Sequence, residues 1–135
     1  MKYRILAFLA ISLVVISCED EPVDPDFDLR DEYVGDWLCN ENSSIYGNSS
    51  YTITIEKSDT NETYIHISNF YNLGNAIAVS AEVFDNSLLI PAQNVGGNAI
   101  DGTGTSNADY TEINLTYTVD DGADNDVCSA VCTPL

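Results

Sequence analysis

Beyond residue 30 the chain alternates apolar and polar residues in short runs, parted by clusters of Asn, Gly, Asp and Ser, with no stretch of helical periodicity. The runs predict eight strands: Asp36 to Glu41, Ser50 to Lys57, Thr63 to Phe70, Ala76 to Phe84, Ser87 to Ala92, Ala99 to Thr105, Tyr110 to Asp120 and Val127 to Thr133. Strand side chains point alternately to opposite faces. Tyr51, Ile53 and Ile55 therefore share a face, as do Ile65 with Ile67, Ile77 with Val79, Ala81 and Val83, and Ile113 with Leu115, Tyr117 and Val119. The other faces carry Thr52, Thr54, Glu56, Glu112, Asn114, Thr116 and Thr118, so one side is core and the other is wet. Links such as Ser58 to Glu62, Asp85 with Asn86, Gly96 to Asn98 and Ser106 to Ala108 are too short for parallel crossovers and force antiparallel neighbours. An all-β, eight-stranded up-and-down meander follows, and closing it into a small barrel removes its free edges.

The opening of the chain has a different pattern. Lys2 and Arg4 precede a stretch from Ile5 to Ile16 that is apolar or small apart from Ser12. About a dozen helical residues span only ~18 Å, too little for a hydrocarbon core of ~30 Å. Val15, Ile16, Ser17 and Cys18 close the run, and this arrangement resembles the lipobox of bacterial lipoproteins. The resemblance implies that residues 1–17 are a lipoprotein signal peptide, that Cys18 carries a diacylglyceryl group, and that cleavage before Cys18 leaves an amine for further acylation. Two or three acyl chains make such an attachment effectively stable, so the membrane partner is reached through lipid and not through a spanning helix.

Residues 18–30 form an acidic stretch interrupted by Pro22 and Pro25, a composition that stays extended and reads as a tether. An acidic patch directly behind the lipidated cysteine resembles the surface export signal of Bacteroidetes lipoproteins. The expected location is the outer membrane, with its cell-surface and periplasmic faces both open. Residues 31–135, roughly 105 in number, suffice for one small domain.

Charge narrows the partners. The chain has 4 basic and 22 acidic residues; with Lys2 and Arg4 removed, Arg30 and Lys57 remain, and 2 minus 22 gives −20. Such a field repels nucleic acid and anionic headgroups, which excludes DNA and RNA as partners.

Within the first strand, Gly35, Asp36 and Trp37 resemble the G-x-W element of lipocalins and other calycins, in which the tryptophan packs across the barrel base. Ile67 to Gly74, Leu89 to Gln93, Ile100 to Thr105 and Thr116 to Gly122 are similar to segments of small calycin-like lipoproteins of Bacteroidetes, so the resemblance spans nearly the whole domain. The chain departs from full lipocalins in its short strands and in lacking their long helix. The resemblance implies a small apolar ligand inside the barrel, with Trp37, Tyr51, Phe70 and Tyr117 as candidate ligand-binding residues. Tyr46, Tyr71 and Phe84 add to an aromatic supply that serves either a barrel mouth or plain core. A barrel of eight strands can equally be filled by its own side chains. The alternative function is accordingly a non-enzymatic surface module that meets a protein or glycan with a solid barrel.

Export favours a structural disulfide among Cys39, Cys128 and Cys132. First and last strands meet at the seam of a closed meander. A bridge there closes a loop of ~90 residues and is worth ~4 to 5 kcal/mol in the chain-entropy model. The residues leave three pairings open: Cys39 with Cys128, Cys39 with Cys132, and Cys128 with Cys132. The calycin-like resemblance implies Cys39 with Cys128, leaving Cys132 as the spare thiol.

Catalytic chemistry is thin. His66 lacks the positioned nucleophile and orienting group of a triad and reads as an exposed strand histidine. Asp120 to Asp126 is rich in oxygen donors but lacks the calcium-loop order, and reads as a charged hairpin. The N-x-[ST] triplets at Asn42, Asn48, Asn61 and Asn114 read as β-rich surface composition. No catalytic residue, metal or cofactor is expected, and the chain is not expected to be an enzyme.

Overall fold

The computed structural model describes residues 26–135. The expected signal peptide (residues 1–17), Cys18 and most of the expected tether lie outside the described residues. Eight strands follow in order: β1 (Gly35–Ser43), β2 (Gly47–Lys57), β3 (Tyr64–Ser68), β4 (Ala78–Phe84), β5 (Ser87–Val95), β6 (Asn98–Ser106), β7 (Ile113–Asp120) and β8 (Asn125–Pro134). Each pairs antiparallel with the next, and β8 pairs with β1 to close the barrel. The expected up-and-down meander is the observed fold. Two short 3₁₀ turns, Leu29–Glu32 and Phe70–Asn72, make up the helical elements among the described residues.

Strand ends differ from expectation where left-handed backbone intervenes. The third strand was expected to run to Phe70, but the ladder stops at Ser68 because Asn69 turns to φ 58, a conformation that asparagine tolerates. Asn69 then secures the turn: its Nδ2 donates to the Thr52 carbonyl at 2.8 Å and its Oδ1 accepts from the Gly74 amide at 2.8 Å. The seventh strand begins at Ile113 and not Tyr110, whose φ is 52. The eighth begins two residues before Val127, which brings Asp126 into the ladder on an inward position.

Inward residues form one core that includes Trp37, Ile53, Ile55, Ile65, Ile67, Val79, Leu88, Ile90, Ile100, Ile113, Leu115 and Tyr117. The register also explains two glycines. Gly102 faces Tyr117 and Gly104 faces Leu115 across β6 and β7; a methyl at Gly104 would lie 2.7 Å from Leu115 Cδ2, so small residues here admit large ones opposite.

The barrel end next to residues 26–32 is closed by Tyr33, which is fully buried. Its carbonyl accepts from Trp37 Nε1 at 2.8 Å, its hydroxyl donates to the Asp85 carbonyl at 3.2 Å, and its ring meets Tyr110 edge-on at 5.3 Å. Contacts with the barrel reach back to Asp28. Arg30 grips the Asp28 carboxylate and donates to the carbonyls of Ser58 and Asn61, while Lys57 lies 2.5 Å from Asp31 and 3.3 Å from Asp28. The Arg30 hydrogen bond holds the Asp28 carboxyl well below the usual range.

Cys39 is bonded to Cys132, which corrects the expected Cys39 with Cys128 pairing. The register decides it. Cys39 stands directly opposite Cys132 across the seam, whereas Cys128 faces Ser43, four residues and ~14 Å further along β8, too far for a bridge. Cys128, not Cys132, is the buried free thiol.

Candidate functional site

The opposite end of the barrel gathers the predicted aromatics around groups that no motif flagged. Inward parity on β1 carries Trp37, Cys39, Glu41 and Ser43 in turn, so the strand places a carboxylate and a hydroxyl inside the barrel. Glu41 is 5% exposed and Asp126 is 2% exposed. Glu41 Oε2 accepts from the hydroxyl of Tyr51 at 2.5 Å and from that of Tyr117, and the two hydroxyls lie 3.2 Å apart. Asp126 Oδ2 accepts from Ser43 Oγ at 2.5 Å and from the Tyr71 hydroxyl at 2.7 Å, and its Oδ1 accepts from Ser44 Oγ at 2.8 Å.

These bonds set the protonation of the cluster. Burial pushes Asp126 upward, but the hydroxyls of Ser43, Tyr71 and Ser44 outweigh it and hold the carboxyl well below its usual range. Burial first, then the neighbouring carboxylates, raises the hydroxyls of Tyr51 and Tyr71, and burial with Tyr51 and Glu41 raises Tyr117. Burial, with Glu41 and Asp126 close by, pushes the Cys128 thiol up to about 12, so it stays a neutral, weakly nucleophilic group at ordinary pH.

Phe70 lies against Tyr117 with ring centroids 4.5 Å apart, and Tyr71 meets the same ring edge-on at 6.4 Å. Tyr71 sits at φ 54, a strained position for a tyrosine, and its hydrogen bond to Asp126 is what the strain accompanies. Tyr51, Phe70 and Tyr117 are thus brought together, while Trp37 belongs to the other end. Tyr117 links the other two, meeting Tyr51 through their hydroxyls and Phe70 ring to ring. A pocket at this mouth, bounded by Ile45, Tyr46, Tyr71, Val119, Asp121 and Asp126, measures about 90 Å³.

His66 is half-buried on the outer wall with Nδ1 3.2 Å from Ser80 Oγ, and so is not the exposed residue expected. Asp120 to Asp126 does form the β7–β8 hairpin, with Asp120 paired to Asn125.

A second feature lies outside, along the seam. Two rows cross β2, β1, β8 and β7 in register: Ser50, Asn40, Val131 and Asn114 in one, and Asn48, Asn42, Ser129 and Thr116 in the other. All eight are exposed and line a groove of about 810 Å³. The groove's one ionisable lining residue, Glu41, directs its carboxylate inward to the tyrosines. Asn42 donates to Asn48 at 2.6 Å and Asn114 to Glu112 at 2.9 Å, whereas the side chains of Asn40, Ser50, Thr116 and Ser129 make no hydrogen bond among the described residues. The sequence contained a signal for this face: three of the four N-x-[ST] triplets, at Asn42, Asn48 and Asn114, converge on it.

No family model matches the chain, and no curated protein matches it. Among solved structures it is similar to a redesigned β-barrel at 9% identity and a TM-score of 0.56, over 80% of this chain and 96% of that one. The likeness is one of fold: a small closed β-barrel.

Proposed function

We propose that this protein is a non-enzymatic interaction module held at the outer membrane by lipid on Cys18, with the barrel as solid scaffold and the outer face as working surface. The observation that carries the reading is that inward polar groups are spent on one another. Glu41 is taken by Tyr51 and Tyr117, and Asp126 by Ser43, Ser44 and Tyr71, around the Phe70 plug. The lipobox-like run ending at Cys18 and the acidic stretch behind it support the tether. The calycin-like segments are in keeping with a small envelope lipoprotein.

A small apolar ligand inside the barrel is the second reading, favoured by the calycin resemblance. It requires Phe70 and Tyr71 to leave Tyr117 and Asp126, since ligand sites of this kind occupy ~300 Å³ or more. Titrating the whole protein with the fluorescent fatty acid cis-parinarate separates the two. No saturable binding is expected; saturation at one equivalent overturns the solid-scaffold reading. For the anchor, Cys18→Ala is expected to move the protein from the membrane to the soluble fraction, and its retention in membranes would refute the lipid tether.

A further inference from the structure

We propose that the seam groove is a docking site for an uncharged polysaccharide chain, an inference that rests on the outer face being the working surface. Its chemistry is that of amides and hydroxyls. Asn40, Ser50, Thr116 and Ser129 offer unpaired donors and acceptors, and Val131, 41% exposed, offers an apolar spot among them. A glycan presents the matching set, hydroxyls around the ring edge and C–H groups on its face.

Charge selects among occupants. In a chain with 22 acidic residues the two groove rows hold none, and of the carboxylates beside them Glu41 is turned inward to the tyrosines and Glu112 accepts from Asn114, so little free negative charge faces a cationic partner. An anionic polymer is repelled by the rest of the molecule. An uncharged chain meets neither obstacle. Strand spacing of ~4.8 Å places four columns over ~14 Å, and residues two apart on a strand set the rows ~7 Å apart, a lattice that suits a linear polymer lying across the strands. The floor is rigid, because Asn40 and Val131 adjoin Cys39 and Cys132, whose disulfide locks β1 to β8 directly beneath. A rigid floor loses little entropy on binding.

Affinity electrophoresis of the whole protein through gels containing dextran, mannan or galactan tests this, with polygalacturonate as the anionic comparison. At least one neutral polymer is expected to retard the protein. Asn40→Ala with Ser129→Ala should weaken that retardation about tenfold, the effect of losing two modest hydrogen bonds. Ser80→Ala, on another part of the wall, should leave it unchanged. An unaltered thermal midpoint shows that the variants fold. Retardation by none of the neutral polymers, or retardation indifferent to the groove substitutions, overturns the proposal. The cis-parinarate titration tells the two failures apart: without saturable binding of the fatty acid only the glycan assignment falls, and with it the outer-face reading falls too.

Discussion

Strand β1 has two faces with opposite habits. Inward, Trp37 donates to Tyr33, Cys39 is bonded to Cys132, Glu41 accepts from two tyrosines and Ser43 donates to Asp126; outward, among the described residues, Asn40 has no partner and Asn42 reaches only Asn48. A buried polar group without a partner costs about 1–3 kcal/mol, so the inner face can keep its carboxylates only by surrounding them with donors. No such penalty acts in water, and the outer face leaves Asn40 free while Asp36 and Asn42 pair only with Thr54 and Asn48 of the neighbouring strand. Stability is therefore concentrated inside β1 and available binding capacity outside it.

The largest break in this contrast is loss of the seam bridge. Replacing Cys39 and Cys132 by alanine opens a loop with sequence separation 93 and should cost about 4 kcal/mol, read as a fall in the urea midpoint. Next comes the inner network. Tyr51→Phe with Tyr117→Phe removes both hydroxyls from Glu41 and should destabilise by about 3 kcal/mol, most of which should return when Glu41→Leu is added, since no stranded carboxylate then remains.

The pH dependence sharpens the comparison. Asp126 and the more exposed Asp28 have carboxyls held low in the folded protein, so their contribution is fully present above the unfolded value of ~3.9 and is lost as pH falls below it. Urea midpoints should hold steady from pH 7 to 5 and drop below pH 4, and Asp126→Asn should flatten the drop. At the alkaline end Cys128 acts in the opposite sense. Its raised value means stability is lost as pH climbs from ~8.5, where the unfolded thiol ionises, towards about 12, and Cys128→Ala should remove that part of the loss. The smallest effect belongs outside: Asn40→Ala and Ser129→Ala should each shift stability by less than ~0.5 kcal/mol.

The meander and its inward faces were legible because alternation along Tyr51 to Ile55 and Ile113 to Val119 is strict, and because links such as Asp85 with Asn86 permit one kind of neighbour. The disulfide partner was not legible. Cys128 and Cys132 share a face, and only the β1–β8 register, set by contacts distant in sequence, puts Cys132 opposite Cys39. Asp126 is hidden for a related reason: its neighbours Asp120 to Asn125 read as a charged hairpin, yet β8 begins before it and turns it inward. Glu41 has the parity of Trp37 and Cys39, yet an acid at that position is recognisable as core only once Tyr51 and Tyr117 are seen to converge on it.

The claim that the lumen is filled has a native reporter in Cys128, 1% exposed on the inner face of β8. Its rate of labelling by N-ethylmaleimide at pH 8, compared with the same chain unfolded in urea, tests that claim most directly. A filled barrel with a neutral thiol predicts labelling slowed more than about 1000-fold, limited by opening of the fold. Labelling within about tenfold of the unfolded rate would mean that small molecules reach the lumen, contradicting the solid scaffold.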